Sequence, residues 1–323
     1  MIRLASAAED LERAATLLRS GRLVAFPTET VYGLGADATN PEAVREIFRV
    51  KGRPADHPVI VHLPNAGAMA DWGREIPDAA WTLADAFWPG PLTLVVRRAR
   101  RVDDVLTGGQ DTVGLRVPGN RVALDLLERF NGALAAPSAN RFGRISPTTA
   151  DHVIEEFGDE LAAVVDGGPC EVGLESTIID LSGSMPLILR PGMIPGEAIG
   201  ARLGASPQAP APREGARAPG RLPSHYAPAS RLLLLPDDEL KKRIGPWRRS
   251  GRRIVALTMS APDRQPDDIA MPRRPSSYAR ALYAALRRAD RLAPDCIVVE
   301  LPPDEPEWTA IRDRLARAAA GRG

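Results

Sequence analysis

The chain has 323 residues and a mass of 34.7 kDa, which is long for one hydrophobic core and predicts two domains. Its formal net charge of +1 excludes a strongly basic nucleic-acid-binding protein by composition, although a local basic cleft is still compatible with it. The two cysteines, Cys170 and Cys296, lie far apart and support neither a disulfide framework nor a thiolate metal site, so a reducing cytoplasm is the expected location.

Apolar runs in the N-terminal part predict strands that are separated by amphipathic helices. None of the runs approaches the roughly 20 residues needed to span a bilayer, so we expect no membrane segment and no export signal. Strands and helices mix without a strict βαβ rhythm, which favours an α/β fold with a twisted sheet of mixed direction. The predicted strands are Leu23 to Phe26, Val59 to Leu63, Leu92 to Val96, Val113 to Val117, Ala133 to Ala136, Ala163 to Asp166, Thr177 to Leu181 and Leu187 to Leu189, and the predicted helices are Ala8 to Arg19, Pro41 to Lys51, Ala79 to Phe87, Arg121 to Phe130 and Thr148 to Phe157.

The stretch FPTETVYGLGADATN, which begins at Phe26, joins an apolar run to a helix. Pro27 cannot donate a hydrogen bond to a sheet, so we expect the strand to end there and a loop to follow. Such loops often carry catalytic residues, although a plain polar turn before a helix explains the stretch equally well. The helix has clear boundaries, because Asn40 is suited to its N-cap and Gly52 to its C-terminal cap.

Two basic residues, Lys51 and Arg53, flank Gly52 at the end of this helix, and His57 follows them. Lys51 is the only lysine in the first 240 residues of a chain that otherwise uses arginine. A favourable interaction of cations with the helix dipole accounts for the pair. A polyphosphate ligand accounts for it as well, because phosphate binds both a compact ammonium group and a planar guanidinium group.

Other polar side chains lie at the ends of predicted strands. Arg116 interrupts the apolar run VGLRVP, where it requires either a structural carboxylate or an anionic ligand, and we favour the ligand. Each of the others is also an ordinary turn or capping residue, but together they predict a ligand crevice across the sheet. These are Ser138, Asn140, Ser146, Ser176, Thr177 and Arg190.

From about Ala205 to Pro228 the sequence is rich in proline and alanine and shows no periodicity, which predicts a semi-stiff linker. Strand and helix patterns alternate beyond it and predict a small Rossmann-like parallel α/β domain. The expected division is an N-terminal domain over 1–204, a linker over 205–228 and a C-terminal domain over 229–323. The C-terminal part lacks GxGxxG, so nucleotide binding does not follow from its predicted fold.

Several catalytic motifs do not occur in the sequence. It contains no GxxxxGK[ST], no HExxH and no GxSxG, which excludes P-loop, zincin and hydrolase-elbow sites. With only four histidines, His57, His62, His152 and His225, we expect no tight metal cage. His152 falls within a predicted helix, and we expect it on the surface.

The order of the motifs resembles the threonylcarbamoyl-AMP synthase family, in its long form with a YrdC-like catalytic domain and a linked C-terminal domain. The resemblance covers nearly the whole chain. The stretches that carry it are PTETVYGLG, KGRP, HPVIVH, FWPGPLTLV, VGLRVP, APSAN, ESTIID, ILRPG and HYAP, followed by LYAALRRAD and AIRDRLARAA.

The resemblance implies a nucleotidyltransferase that converts L-threonine, bicarbonate and ATP into L-threonylcarbamoyl-adenylate and pyrophosphate. Mg²⁺ would be held by the substrate phosphates and water. The product would pass to the tRNA threonylcarbamoyl transferase machinery, which modifies adenosine 37 of tRNA.

The resemblance also implies roles for individual residues, with Lys51 and Arg53 as the catalytic pair. His57 stands where many relatives have asparagine, although imidazole can also donate a hydrogen bond. Gly33 and Gly35 would let the backbone pass close to the ligand, and the linker would form a lid. The threonine pocket would comprise Thr30, His62, Arg116, Ala136 and Ser176, and the ATP contacts would be Lys51, Arg53, His57, Thr112, Ser138, Asn140, Ser146, Arg190 and Tyr226.

Two alternatives remain open from the sequence. A non-enzymatic RNA-binding module would hold an RNA backbone in a basic cleft, and weak RNA binding is also compatible with the enzyme. The other alternative is a member of the same family that carbamoylates a different acceptor.

Overall fold

The structure, a computed structural model, describes residues 1–210, 215–220, 222, 224–259 and 265–320. The predicted linker therefore lies partly outside the described residues. Within the described ranges, no helix is both long and apolar enough to cross a membrane. The chain divides into two compact units, of which the first comprises Met1–Phe142, Pro147–Glu171 and Glu175–Arg221 and the second comprises Gly143–Ser146, Val172–Leu174 and Leu222–Gly323.

The first unit is built on a sheet of mixed direction, which confirms the predicted α/β class. Its strands are β1 (Ile2–Leu4), β2 (Val24–Phe26), β3 (Gly33–Asp37), β4 (Ile60–His62), β5 (Leu92–Arg97), β6 (Thr112–Arg116), β7 (Leu134–Ala135), β8 (Ala163–Val165), β9 (Thr177–Asp180) and β10 (Leu187–Arg190). They lie in the order β1-β8-β2-β3-β7-β4-β6-β5-β9-β10. The helices are α1 (Ala8–Arg19), α2 (Pro41–Lys51), α3 (Met69–Trp72), α4 (Asp78–Phe87), α5 (Asp104–Thr107), α6 (Arg121–Phe130), α7 (Ala150–Phe157) and α8 (Gly196–Leu203).

Helix α2 begins and ends where its sequence predicts. The Asn40 side chain accepts hydrogen bonds from the backbone N–H groups of Glu42 and Ala43. Gly52 ends the helix in the left-handed conformation with φ of 61°. These boundaries place Lys51 on the last turn of the helix and Arg53 just beyond it, which sets up the basic part of the site.

The stretch FPTETVYGLGADATN contains a second strand that the sequence analysis did not predict. β2 ends at Phe26, and the chain returns as β3, which pairs antiparallel with β2 and places Val24 opposite Gly35. A methyl group on Gly35 would come within 2.9 Å of the Phe26 ring. The lack of a side chain at Gly35 thus makes room for the Phe26 ring, and the close approach of this backbone to a ligand stays a prediction.

The central strands of the first unit carry different sets of buried side chains on their two faces. Leu94 and Leu115 lie on one face and belong to the main hydrophobic core, which is packed against the helices. The neighbouring positions Ile60, Val95 and Ile178 lie on the other face and form a small apolar cluster. We call this second face the cluster face.

His152 is buried, with 7% of its surface exposed, so the expectation of a surface position is wrong. The backbone N–H of Thr148 donates to His152 Nδ1 at 3.2 Å. The imidazole therefore turns back to satisfy the backbone just ahead of α7, a contact that helical periodicity does not reveal.

The second unit contains a four-stranded, all-parallel sheet flanked by helices. Its strands are β11 (Leu232–Leu235), β12 (Ile254–Thr258), β13 (Ile269–Ala270) and β14 (Cys296–Glu300), in the order β11-β14-β12-β13. Its helices are α9 (Asp237–Arg249), α10 (Pro275–Arg291) and α11 (Thr309–Ala319). The parallel α/β prediction is confirmed, and the strand missed by the sequence analysis, β13, has only two residues.

Candidate active site

Several of the predicted site residues lie where neighbouring strands of the large sheet end or begin, and we call this side of the sheet the Arg116 edge. β4 and β6 are parallel, and their pairing places His62 directly opposite Arg116 at the ends of the two strands. Ser176 precedes β9, which is parallel to β5, and Arg190 ends β10. Since β5 runs antiparallel to β6, the start of β9 lies at the same edge as the end of β6.

Arg116 is buried and held by three partners. Its Nη2 donates to Glu29 Oε1 at 2.6 Å, its Nη1 to Thr30 Oγ1 at 3.0 Å, and its Nε to the Gly90 carbonyl at 3.2 Å. The side chains of Arg116 and Glu29 are only 4% and 7% exposed. The sequence is compatible with either a structural carboxylate or an anionic ligand at Arg116, and Glu29 supplies the carboxylate.

The loop after β2 is ordered by its own threonines. Thr28 Oγ1 donates to the Val31 carbonyl at 2.6 Å and also accepts from the backbone N–H of Thr30 at 3.2 Å. The hydroxyl groups of Thr28 and Thr30 lie 2.8 Å apart. This local turn fixes Glu29 and Thr30 against Arg116, because Thr28 Oγ1 bonds both the hydroxyl group and the backbone N–H of Thr30.

His62 is neutral at physiological pH in this environment. Burial, together with the positive charge of Arg116, lowers its pKa from the ordinary 6.5 to about 3. Its Nδ1 is buried without a hydrogen-bond partner among the described residues, and its ring contacts Phe26 edge-on at 6.0 Å. A buried ring nitrogen of this kind suits a polar ligand group at the same edge.

Ser176 contacts Thr93 on β5 and Arg190 on β10, the two strands that flank β9. Its hydroxyl lies 2.7 Å from Thr93 Oγ1, and Arg190 donates to its carbonyl from Nε at 3.1 Å and from Nη2 at 3.0 Å. Arg190 Nη1 also donates to the Pro219 carbonyl at 3.1 Å. Arg190 is therefore fixed close to Ser176, and Thr93 is a polar neighbour that the sequence analysis did not single out.

The Lys51 ammonium group is buried and contacts a loop of the site. It donates to the carbonyl groups of Ser138, at 2.5 Å, and of Asn140. Burial, and secondarily the charge of Arg53, holds the pKa of Lys51 well below its ordinary value. Ser138 also pairs with Gly33 in an antiparallel bridge, so this loop joins the Lys51 side of the site to the strand that follows Thr30.

Arg53 and His57 gather around Phe142. The Arg53 guanidinium lies 5.7 Å from the centre of the Phe142 ring and donates from Nη2 to the Pro58 carbonyl at 2.8 Å. The His57 ring meets the same ring edge-on at 5.2 Å. Burial and the charge of Arg53 lower the pKa of His57, so the two predicted phosphate contacts already influence one another.

Ala136 and Thr112 lie at different places along the sheet. The backbone N–H of Ala136 donates to the Ile60 carbonyl at 2.9 Å, next to His62. Thr112 begins β6 and lies four positions before Arg116, about 13 Å away at 3.3 Å per residue. Thr112 instead lines a cavity of about 500 Å³ together with Gln110 and Asp180. The structure therefore does not bring Thr112 to the Arg116 edge, although both residues project from the same face of β6.

Ser146 and Tyr226 belong to the second unit. Ser146 is fully buried. Tyr226 stacks on Tyr283 with ring centres 5.9 Å apart, and Arg314 lies 5.3 Å from the centre of its ring. Their roles as ATP contacts stay predictions.

Glu29 is the functional candidate that the sequence analysis did not assign. A signal was available, because a buried arginine requires a partner and Glu29 is an acid between two threonines in the loop already singled out. The choice among the acids of the chain required the tertiary fold. A buried arginine in the sequence indicates that a carboxylate is needed but does not identify which residue provides it.

The described residues contain no group of three or more His, Cys, Asp and Glu side chains that could hold a metal ion. The predicted site residues are instead mainly cations and hydrogen-bond donors, and the Glu29 carboxylate is paired with Arg116. Such a set fits a phosphate-bearing anion and a small carboxylate better than a protein-held metal ion.

Known proteins are similar to this chain over nearly its whole length. A family model described as "Telomere recombination", which covers Sua5, YciO and YrdC proteins, matches residues 16–192, and a model described as "Threonylcarbamoyl-AMP synthase, C-terminal domain" matches residues 193–320. The threonylcarbamoyl-AMP synthase of Pyrococcus abyssi is 40% identical over 319 residues, which span 96% of this chain and 94% of that protein. The threonylcarbamoyl-AMP synthase of Bacillus subtilis is 38% identical and covers 97% of this chain and 93% of its own length.

A solved structure is similar over nearly the same length. The crystal structure of Pyrococcus abyssi Sua5 complexed with L-threonine matches with a TM-score of 0.92 and 38% sequence identity. The match covers 98% of this chain and 97% of that protein.

Proposed function

Since the chain belongs to the threonylcarbamoyl-AMP synthase family, we propose that it joins L-threonine, bicarbonate and ATP into L-threonylcarbamoyl-adenylate and releases pyrophosphate. The observation that carries this proposal is the buried Arg116 at the sheet edge, beside Thr30 and His62. The bonds named above use three of its five N–H groups. The remaining two are available, within the described part of the chain, to a ligand carboxylate.

The chemistry requires positioning more than a protein nucleophile. The amine of threonine takes up carbon dioxide from bicarbonate, and an oxygen of the resulting carbamate attacks the α-phosphorus of ATP in line. Lys51, Arg53 and Arg190 neutralise the charge that develops on the phosphates. A bound polyphosphate would favour the charged form of Lys51 and so oppose the effect of its burial.

Mg²⁺ enters the proposal only as the counter-ion that ATP brings with it. The described residues hold no metal cage, so the ion would rest on phosphate oxygens and water. No step of the proposed reaction is assigned to it.

Residues 215–220, which we call the cover segment, support the predicted lid. Ala216 and Ala218 pack against the apolar cluster on the cluster face. The backbone N–H of Ala216 donates to Asp180 Oδ2 at 2.8 Å, and that of Arg217 donates to Gln110 Oε1 at 2.5 Å. We infer that this segment covers the nucleotide and excludes water during the reaction.

The product is a reactive mixed anhydride, and we propose that it passes to the tRNA threonylcarbamoyl transferase machinery. The reaction takes place in the cytoplasm in this proposal, and the two free cysteines, both buried, remain reduced there.

Mass spectrometry of the products formed from ATP, L-threonine and ¹³C-labelled bicarbonate tests the function. We expect threonylcarbamoyl-adenylate that carries the label, with pyrophosphate released only when all three substrates are present. Salt-sensitive binding of RNA without turnover would contradict the proposal and support an RNA-binding module instead.

The variant Arg116→Ala tests the assignment of the threonine carboxylate. We expect the KM for threonine to rise by at least about tenfold, because a charge-assisted bidentate contact is lost. Arg121→Ala is the matched control, since Arg121 is an exposed arginine paired with Asp125 on α6. An unchanged threonine requirement in Arg116→Ala would point to another acceptor.

A further inference from the structure

Glu29 carries a buried carboxylate oxygen that the described structure leaves without a partner. Its Oε1 accepts from Arg116 Nη2 at 2.6 Å, whereas Oε2 is inaccessible to solvent and has no hydrogen-bond partner among the described residues. Buried polar atoms are nearly always paired, and an unpaired carboxylate oxygen is among the costliest exceptions. An unpaired atom of this kind in a functional region indicates a missing ligand group.

The surroundings of the carboxylate favour a small cationic partner. Gly119 lies beside it, and a methyl group on Gly119 would come within 3.4 Å of Glu29 Cδ and Oε1 and within 3.3 Å of Gly90 Cα. The glycines thus allow the backbone to approach the carboxylate closely. A water molecule would also satisfy Oε2, but an ammonium group would in addition compensate its charge.

The Glu29–Arg116 pair matches the charges of a free amino acid. The substrate has a carboxylate, for which Arg116 still has N–H groups, and an α-ammonium group, for which Oε2 is an acceptor. The two charged groups of an amino acid sit on one carbon atom, and the two partners in the protein are in direct contact. A buried ion pair with two remaining N–H groups on Arg116 and one remaining acceptor oxygen on Glu29 is therefore complementary to a zwitterion.

We propose that Glu29 binds the α-ammonium group of the L-threonine substrate through Oε2 and accepts the proton that this group must lose before it forms the carbamate. The inference rests on the proposed function, because it assigns a residue to the first step of that reaction. Glu29 thereby becomes a catalytic residue of the threonine pocket.

The step balances without a further reactant. Threonine ammonium and bicarbonate together give a carbamate, water and one proton. An N–H bond of the ammonium breaks while an O–H bond forms at Oε2, and the nitrogen lone pair that is left forms the N–C bond with carbon dioxide. The hydroxide released when bicarbonate supplies carbon dioxide takes the second nitrogen proton and leaves as water.

The purely structural alternative assigns Glu29 only to the orientation of Arg116. In that case its loss weakens every ligand that carries a carboxylate, whether or not the ligand has an amine. The proposal predicts a selective loss for ligands that carry the ammonium group, so the two accounts differ in a measurable ratio.

Isothermal titration calorimetry with L-threonine and with (R)-3-hydroxybutanoate, which lacks only the amine, measures this ratio. We expect the wild-type chain to bind threonine roughly tenfold or more tightly than the analogue, as a charge-assisted hydrogen bond implies. In Glu29→Gln the ratio should fall to about twofold or less, while Glu46→Gln, an exposed carboxylate paired with Arg49 on α2, should keep the wild-type ratio. An unchanged ratio in Glu29→Gln overturns the proposal.

The pH dependence of turnover gives a second readout. In Glu29→Gln, kcat should rise with pH between 7 and 9, because deprotonation of the amine then depends on the solution, and the wild-type profile should be flatter over that range. A parallel profile in both proteins contradicts the assignment of the proton.

Two further outcomes keep the test decisive. Glu29→Gln leaves the Arg116 charge without compensation and can therefore fail to fold. In that case the ratio of the two ligand affinities in the wild-type chain is the deciding measurement. Equal binding of the two ligands by the wild-type chain overturns the proposal. If the wild-type chain releases no pyrophosphate with threonine, the proposed function fails. If the wild-type chain releases pyrophosphate with threonine but Glu29→Gln leaves the ratio of the two ligand affinities unchanged, only the role of Glu29 fails.

Discussion

His62 shows how a single position couples the site to the stability of the fold. It is buried opposite Arg116, and both burial and that positive charge oppose its protonation. The folded-state pKa of about 3 lies below the ordinary value of 6.5. Between these values the unfolded chain binds a proton that the folded chain does not, so acid shifts the equilibrium towards unfolding.

We predict that the free energy of unfolding decreases as the pH falls from 6.5 towards 3, with His62 contributing up to about 1.4 kcal/mol per pH unit. Urea unfolding of the wild type and of His62→Gln at pH 7 and pH 5 measures this, and the variant should depend less on pH. His57→Gln is the control, because the His57 side chain is 23% exposed and should contribute less. The same pH dependence in His62→Gln and the wild type would contradict the prediction.

Lys51 is a second residue that contributes both to the stability of the fold and to the candidate site. Its ammonium group donates to the carbonyl groups of Ser138 and Asn140, so it fixes the loop that the resemblance assigns to ATP. A planar guanidinium group has a different shape, which accounts for a lysine at this position in an arginine-rich chain.

Lys51→Met keeps the length of the side chain but removes its donors. We predict a loss of about 1–3 kcal/mol in the free energy of unfolding, together with a lower kcat, because the carbonyl groups of Ser138 and Asn140 lose the donor that Lys51 supplies. The Ser138 carbonyl keeps the backbone N–H of Asn140 as a second donor. Chemical denaturation and the pyrophosphate assay measure the two effects. Lys241→Met, an exposed pair with Asp237 on α9, should change neither by much, and equal stability of the two variants would contradict the prediction.

At the scale of elements, the hairpin of β2 and β3 depends on one aromatic ring over a glycine. Gly35 lies opposite Val24, and a methyl group there would also come within 3.1 Å of the Val24 carbonyl. The hairpin carries Thr30 and Glu29 in its loop, so its packing determines how these residues meet Arg116.

Gly35→Ala should therefore destabilise the first unit by about 1–3 kcal/mol through overpacking against Phe26. Thermal unfolding measures the loss. At Gly183 an added methyl group would meet no atom within 4 Å, so Gly183→Ala is expected to leave the midpoint close to that of the wild type. A stable Gly35→Ala variant would show that Phe26 can move aside without cost.

At the scale of the whole molecule, part of the predicted linker is an integral part of the first unit. The cover segment is bound to Asp180 and Gln110 through its backbone, and the Gln110 amide also donates to the Arg217 carbonyl at 3.2 Å. Backbone hydrogen bonds and the apolar contacts of Ala216 and Ala218 together hold the segment in place.

Gln110→Ala should release the cover segment while the sheet stays folded. We predict faster amide hydrogen exchange in peptides that span residues 215–220, measured by mass spectrometry, since the Arg217 N–H loses its acceptor. Gln265→Ala, in the second unit, is the control and should leave this exchange unchanged. Unaltered exchange in Gln110→Ala would mean that the apolar contacts of Ala216 and Ala218 suffice.

The sequence by itself determined the features that depend on neighbouring residues. The boundaries of α2 follow from Asn40 and Gly52, the end of β2 follows from Pro27, and the alternation of strands and helices beyond residue 229 predicts the parallel sheet of the second unit. The order of the motifs also determined the family, because each motif is short and local.

Only the tertiary structure decided the contacts between residues that are distant in the sequence. It selected Glu29 as the partner of Arg116, buried His152, paired β3 with β2 over Gly35 and placed Thr112 far along β6 from the Arg116 edge. A local sequence pattern indicates that a buried charge needs a partner, but it does not identify the partner residue. The choice is made by packing of the whole sheet, where each pairing restricts all the others.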